Sequence, residues 1–264
     1  MITSHGNRGV REVVQLVQKA KARKEQGLFI VEGVKMFLEA PIERIEKVYI
    51  STSFSKQTPV SCAKKLTEVS KICETAANDV FQKMSDTKTP QGILCVMKQY
   101  RYTVEEMLAM PNPLLALLEG IQDPGNLGTI VRSAEGAGVS GIIMSADTVD
   151  IYNPKTIRST MGSIYRTPFL YTESLPEMIR KLQQQKITVY AAHLQGAEIY
   201  DTRDYKMGSA FLIGNESNGL QKETAACADV AVKIPMQGKV ESLNAAVASS
   251  LLMFEAARQR RAGL

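Results

Sequence analysis

Leu114-Leu115-Ala116-Leu117-Leu118-Glu119-Gly120-Ile121-Gln122-Asp123-Pro124-Gly125-Asn126-Leu127 is the stretch whose reading decides the fold. Its first part is a near-continuous apolar run, the pattern of a strand buried on both faces of a parallel sheet. Asp123-Pro124-Gly125-Asn126 is a turn that leads into a helix over about 127–137. Working outward, Gly141-Ile142-Ile143-Met144 reads as the next strand. Ser174-Leu175-Pro176-Glu177 has the S-x-x-E form with proline in the first turn and opens a helix through 184. Residues 187–192, 210–214 and 230–234 are further strands, and 243–261 a long final helix. About five strands alternating with helices predict a mostly parallel α/β sheet with helices on both faces.

The preceding region is built differently. Between residues 11 and 24, Val13, Val14, Leu16, Val17 and Ala20 recur at helical spacing among basic residues, which predicts one amphipathic helix with a cationic face. Residues 28–31 and 47–51 read as strands, 32–38 and 63–69 as helices, and 92–97 as another strand. This is a small α/β domain, and Pro111-Asn112-Pro113 breaks any helix begun at Val104. The 264 residues, at roughly 150 per domain, suit two domains, expected at 1–106 and 107–264.

The formal net charge is only +5. Residues 1–106 carry the whole excess, whereas 107–264 are balanced. Arg8, Arg11, Lys19, Lys21, Arg23 and Lys24 face only Glu12 before Glu25 is reached. Clustered cations of this kind suit an anionic partner for the first domain, or else a solvated helix face.

Composition sets the remaining bounds. Hydrophobic residues make up 44% and charged residues 22%, which excludes a disordered or collagen-like chain. No run approaches the ~18–20 apolar residues of a membrane helix, and no apolar signal core follows Met1, so a cytoplasmic location without membrane association is expected. Cys62, Cys73, Cys95 and Cys227 form no C-x-x-C pair, and His5 and His193 are the only histidines, so no metal site is expected. His193, alone at a strand end, reads as a surface or core histidine.

In open α/β sheets ligands bind beyond the carboxyl ends of strands, so those loops carry the functional reading. Gly136-Ala137-Gly138-Val139-Ser140-Gly141 matches G-x-G-x-x-G, but it follows a helix and precedes a strand, the reverse of a phosphate-cradling context. Gly138 reads instead as a helix C-cap. Three other segments place glycines and amide side chains at strand ends: 121–132, 211–220 and 234–246. Singly, each reads as a turn, a cap or a solvated acid.

Taken together, D-P-x-N-x-G-x-x-x-R from Asp123 to Arg132, G-x-E from Gly214 to Glu216, and Ile234-Pro235-Met236 with Ser242-Leu243-Asn244-Ala245-Ala246-Val247 resemble the three motifs of the SpoU/TrmH family of RNA ribose 2′-O-methyltransferases, in the SPOUT superfamily. The likeness runs from about Leu114 to Arg258. Residues 152–163 resemble the family's N-P-x-x-x-R-x-S-x-G segment, with Thr160 at the usual serine. Ser4, Asn7 and Arg11, then Gly27-x-Phe29-Ile30-Val31-Glu32-Gly33, resemble the ribosomal-protein-like substrate-binding module often fused to these enzymes.

The resemblance implies a C-terminal trefoil-knotted parallel-sheet methyltransferase domain behind a small α/β RNA-binding domain. It implies S-adenosylmethionine as cofactor, with Leu212, Gly214, Ile234, Met236 and Leu243 binding it largely through backbone groups. It implies a homodimer through the C-terminal domain and a structured RNA substrate, rRNA ahead of tRNA. Among catalytic residues it assigns Arg132 the main role, Asn126 to fixing Arg132 or the RNA backbone, Glu216 to orienting the site, and Ser242 and Asn244 to ordering the loop around the donor. Arg8, Arg11, Lys19, Arg23 and Arg158 are the expected RNA contacts, Arg158 having a dimer-bracing role as its alternative. The other readings are a non-catalytic RNA binder on this scaffold and a base-methylating relative.

Overall fold

The computed structural model describes residues 1–194 and 196–262, and they group into two compact units. The first comprises Met1–Tyr100 together with Asp150–Tyr165. In order it contains α1 (Arg8–Gln18), α2 (Ala20–Gln26), β1 (Leu28–Glu32), α3 (Val34–Glu39), β2 (Ile45–Ser51), α4 (Thr52–Lys56), α5 (Val60–Glu68), β3 (Cys73–Ala76), α6 (Asn78–Met84) and β4 (Ile93–Lys98). The four strands lie in the order β1-β4-β2-β3, antiparallel except for the β2–β3 pair. Val10, Val13 and Leu16 of α1 meet Val80, Phe81 and Met84 of α6 over Ile30, Tyr49, Leu94 and Val96 of the sheet. Burying each such aliphatic side chain contributes roughly 1.5–3 kcal/mol.

The single cationic helix expected over 11–24 is two helices. Lys19 adopts an extended conformation (φ −123°, ψ 114°) and ends α1 before α2 begins. The elbow is held by Arg23, whose guanidinium donates to Leu16 O at 2.7 Å and Val17 O at 3.1 Å and pairs with Asp150 at 2.7 Å. Helical periodicity does not reveal such a break, because Lys19 is neither glycine nor proline.

The segment Asp150–Tyr165, which the sequence places in the second domain, packs within the first unit. Tyr152 sets its ring 4.6 Å from that of Phe29 and accepts the Tyr100 N–H at 2.7 Å, and Tyr165 donates to Met36 O at 2.9 Å.

The second unit comprises Arg101–Val149 and Arg166–Leu264, of which residues up to 262 are described. It carries α7 (Val104–Leu108), β5 (Leu114–Leu118), α8 (Pro124–Ala137) and β6 (Gly141–Ser145). The chain then crosses α9 (Pro154–Thr160) of the first unit and returns with β7 (Phe169–Thr172), α10 (Leu175–Gln184), β8 (Thr188–Ala192), β9 (Glu198–Ile199), β10 (Ser209–Ile213), α11 (Lys222–Ala226), β11 (Val230–Lys233) and α12 (Ala245–Arg261). The sheet has seven strands in the order β7-β6-β5-β10-β8-β11-β9, every pair parallel. It contains the five strands read from the sequence, and the two it adds, β7 and β9, are its edges. Gly138 is in the left-handed region (φ 71°) and caps α8.

Leu115 and Leu117 of β5 share a core with Leu175, Ile179 and Leu182 of α10, and the opposite side is closed by α8 packing on α12. No helix among the described residues is long and apolar enough to cross a membrane.

Candidate active site

β10 lies between β5 and β8, so chain order reverses at the middle of the sheet. Such a switch point splays the loops on either side and opens a crevice at the carboxyl ends. A cavity of about 490 Å³ occupies it, lined by Ala192 and His193 after β8, residues 213–220 after β10, Val232, Ile234 and Met236 along and after β11, and Ser242, Leu243, Ala245, Ala248 and Leu252 leading into and along α12. The volume is within the usual range for a small-molecule site, ~300–1,000 Å³.

The loop after β10 makes one wall. A Cβ on Gly214 would lie 2.3 Å from Gly219 C and 2.4 Å from Leu220 N, so only glycine lets the two limbs meet. Asn215 and Gly219 exchange backbone hydrogen bonds of 3.0 and 2.9 Å, and the Asn215 Oδ1 accepts the Ser217 and Asn218 N–H groups. The Asn215 amide donates to Gly120 O at 2.6 Å, tying this loop to the one after β5.

Glu216 makes the second tie. Its carboxylate accepts the Gln122 N–H at 3.2 Å, the Asp123 N–H at 3.3 Å and the Asn126 Nδ2 at 2.9 Å. Asn244 Nδ2 donates to Asn126 Oδ1 at 2.9 Å, while Asn244 Oδ1 caps α12 through the Ala246 and Val247 N–H groups. Partial burial pushes the Glu216 pKa up, but these donors outweigh it and hold the carboxyl below its ordinary value. At neutral pH Glu216 is thus an ionised acceptor already engaged by N–H groups, which suits bracing a site and not accepting a proton.

The structure thereby joins Asn126, Glu216 and Asn244, drawn from three distant segments, in one chain of hydrogen bonds. Gly214, Ile234, Met236, Ser242 and Leu243 line the cavity beside them. Leu212 does not: it is fully buried in the core with Leu115 and Leu117. Successive side chains of a strand point to opposite faces, and it is Ile213 that reaches the cavity.

Arg132 is exposed on α8, does not line the cavity and makes no hydrogen bond or ion pair among the described residues. Asn126 is bonded to Glu216 and Asn244, not to Arg132.

Among the basic residues of the first unit, Arg8, Arg11 and Lys19 are exposed, Arg8 paired with Glu12 at 2.8 Å. Arg23 is a correction. Only 4% of its side chain is exposed, and the carbonyls and carboxylate that hold the α1–α2 elbow consume its donors, so it does not join an RNA-facing surface. Arg158 belongs to the first unit and pairs with Asp86 at 2.5 Å.

His193, expected from the sequence as a surface or core histidine, is exposed and lines the cavity directly after β8. Its signal was position: it ends a parallel strand at the same edge as the three recognised loops.

Comparison with known proteins places residues 113–254, just over half of the chain, in the SpoU rRNA Methylase family, and residues 7–95 match the MRM3-like substrate binding domain. The chain is 30% identical to the 23S rRNA (guanosine(2553)-2′-O)-methyltransferase RlmP of Bacillus subtilis, over 96% of this chain and 97% of that protein. It is 28% identical to the 23S rRNA (guanosine-2′-O-)-methyltransferase RlmB of Escherichia coli, over 88% and 98%. Among solved structures, the SpoU methyltransferase AviRb of Streptomyces viridochromogenes in complex with AdoMet superposes with a TM-score of 0.87 at 26% identity, covering 97% of this chain and all of that one. An AdoMet-bound rRNA methyltransferase of Sinorhizobium meliloti gives 0.82 at 32% identity, covering 97% of each chain.

Proposed function

This chain belongs to the SpoU rRNA methylase family, and from that premise we propose how it works as an S-adenosylmethionine-dependent ribose 2′-O-methyltransferase of rRNA. The observation that carries the reading is the cavity at the switch point of the sheet, walled by a glycine that tolerates no Cβ and joined to the Glu216–Asn126–Asn244 chain.

The cavity suits the methyl donor. Ile213, Leu220, Ile234, Met236 and Leu243 offer apolar surface to a purine, and the glycine-bearing loop offers backbone groups at close range. Bound there, S-adenosylmethionine supplies an electrophilic methyl on a sulfonium whose leaving thioether is neutral, so the protein needs no acid for the leaving group. The demand on the chain is to align a weakly acidic hydroxyl and stabilise the negative charge that grows on its oxygen. Arg132, permanently charged, meets the second demand by donating hydrogen bonds to that oxygen, while the hydroxyl proton leaves to a phosphate oxygen of the RNA. Asn126, Glu216 and Asn244 fix the start of α8, on which Arg132 sits, relative to the start of α12. Ser242 orders the loop that closes on the donor.

The first unit supplies the RNA-holding surface in this reading. Support comes from the substrate-binding family match and from exposed Arg8, Arg11 and Lys19 along and at the end of α1. Arg158 adds a phosphate contact once Asp86 releases it. A cytoplasmic location goes with an rRNA substrate. The test is to map alkali-resistant nucleotides in rRNA and tRNA from a deletion strain against its parent. One rRNA position should lose resistance, and purified protein with S-adenosylmethionine should restore it; an unchanged map of both RNAs would remove the activity.

The working unit is a homodimer through the second unit. α12 exposes Val247 (48%), Leu251 (38%) and Phe254 (43%) at spacings of four and three residues, a stripe along one helix face. Such an apolar stripe is costly in water and suits a second copy. α8 packs beside it, Ser250 of α12 donating to Ser133, the residue after Arg132, at 2.8 Å. Leu251→Asp should convert the dimer to monomer in light scattering and lower methyl transfer; a dimer unchanged by the substitution would place the interface elsewhere.

A further inference from the structure

The Glu216–Asn126–Asn244 chain is not the only tie between the loops after β5 and β10. Glu119, the residue after β5, is 5% exposed, yet among the described residues no cation pairs with it. Its Oε2 accepts the Gln221 N–H at 2.8 Å and its Oε1 accepts the Thr224 hydroxyl. A buried carboxylate is costly to desolvate, and these two neutral donors are what offset it here.

The two donors are the N-cap and the third residue of α11, a helix whose own N-cap residue, Gln221, supplies no side-chain hydrogen bond. Glu119 therefore reaches across from the neighbouring strand and anchors the first turn of α11, through the N–H of its N-cap residue and the hydroxyl of its third residue. The chain leaves the cavity wall at Leu220 and is anchored one residue later.

The geometry is reciprocal. Glu216, on the loop after β10, takes the backbone of Gln122 and Asp123 on the loop after β5. Glu119, at the start of the loop after β5, takes the backbone of Gln221 at the end of the loop after β10. With Asn215 bonded to Gly120 O, the loop 214–221 is held at its entry, crown and exit. Neither Glu119 nor Thr224 lines the cavity, so both act only through the wall they hold.

We propose that Glu119, with Thr224, is a positioning residue for the methyl donor: it keeps the Gly219–Leu220 wall in its donor-binding conformation before the donor arrives. A wall fixed in advance loses less conformational entropy on binding, and the benefit appears in donor affinity and not in the chemical step. This rests on the cavity being the donor site.

The experiment uses full-length protein and calorimetry with S-adenosylmethionine and S-adenosylhomocysteine, together with kinetics against substrate rRNA. Glu119→Leu fills the same space without acceptors, and donor affinity should fall on the order of tenfold. Thr224→Val, which removes one hydroxyl and preserves shape, should weaken it by about three- to fivefold, and Thr224→Ser should restore it. In Glu119→Leu and Thr224→Val, KM for the donor should rise while kcat at saturating donor and KM for RNA stay within about twofold, and in Thr224→Ser all three should be near the parent's. Glu119→Leu and Thr224→Val proteins that melt earlier but bind donor like the parent would reduce Glu119 to a structural anchor and overturn the proposal. Should Glu119→Leu not fold, the Thr224 pair decides it. Parent protein that binds neither ligand would overturn the donor-site reading itself, an outcome distinct from equal binding by parent and variants.

Discussion

Arg132→Ala is expected to lower kcat for methyl transfer by a factor on the order of 10² to 10³ while leaving calorimetric donor affinity within about twofold. The split follows from where Arg132 sits. It is exposed on α8, absent from the cavity lining and without a hydrogen bond or ion pair among the described residues, so its loss removes nothing that holds the donor or the fold. What disappears is an exposed guanidinium on α8, which in the proposed reading meets the oxygen on which charge develops. Lysine should recover only a part, because a point charge lacks the planar pair of donors. Single-turnover kinetics at saturating donor and RNA are the measurement, and turnover near that of the parent would take Arg132 out of the chemistry.

Gly214→Ala should have the opposite signature, with donor binding lost first. The added methyl would meet Gly219 C, Leu220 N and Gly219 O at 2.3–2.5 Å, all of them backbone atoms that no side-chain rotation can move. The hairpin must open or shift. That would pull Leu220 from the cavity wall and loosen the Asn215–Gly219 hydrogen bonds. Overpacking of this kind costs about 1–3 kcal/mol of stability, and donor affinity should fall by roughly tenfold or more. Thermal unfolding and calorimetry on the same protein would check both, and unchanged donor affinity would show that the wall is not needed for binding.

Much of the second unit was legible because burial there is local in sequence. Residues 114–118, 141–144 and 210–214 are apolar throughout, and only a strand covered on both sides has a use for that pattern. β7 and β9 escaped for the complementary reason. They are the sheet's edges, β9 only two residues long and Leu170, Tyr171 and Thr172 of β7 not fully buried, so neither carries a buried-strand signature. Leu212 was assigned to the cavity and its neighbour Ile213 was not, a slip of one residue that the two-residue period of a strand turns into the wrong face. Arg23 was read as one more surface cation, since a run of basic residues does not record which of them turns inward to bind carbonyls.

The sequence alone determined the inner strands of the second unit, most of its helices and the residues at their ends, because periodicity, capping and glycine placement are set by neighbours a few positions away. It also carried the family motifs, and through them the reaction. It did not determine that β10 would lie between β5 and β8, nor that residues 150–165 would pack with the first unit, because pairing between distant segments is chosen by the summed burial of whole elements. The tertiary structure decided the rest. It brought Asn126, Glu216 and Asn244 within hydrogen-bonding distance, turned Glu119 inward to anchor the start of α11, and set Arg132 outside the cavity at the switch point. Hydrogen bonds act over about 3 Å, so partners this far apart in the chain meet only after the sheet has fixed their strand ends side by side.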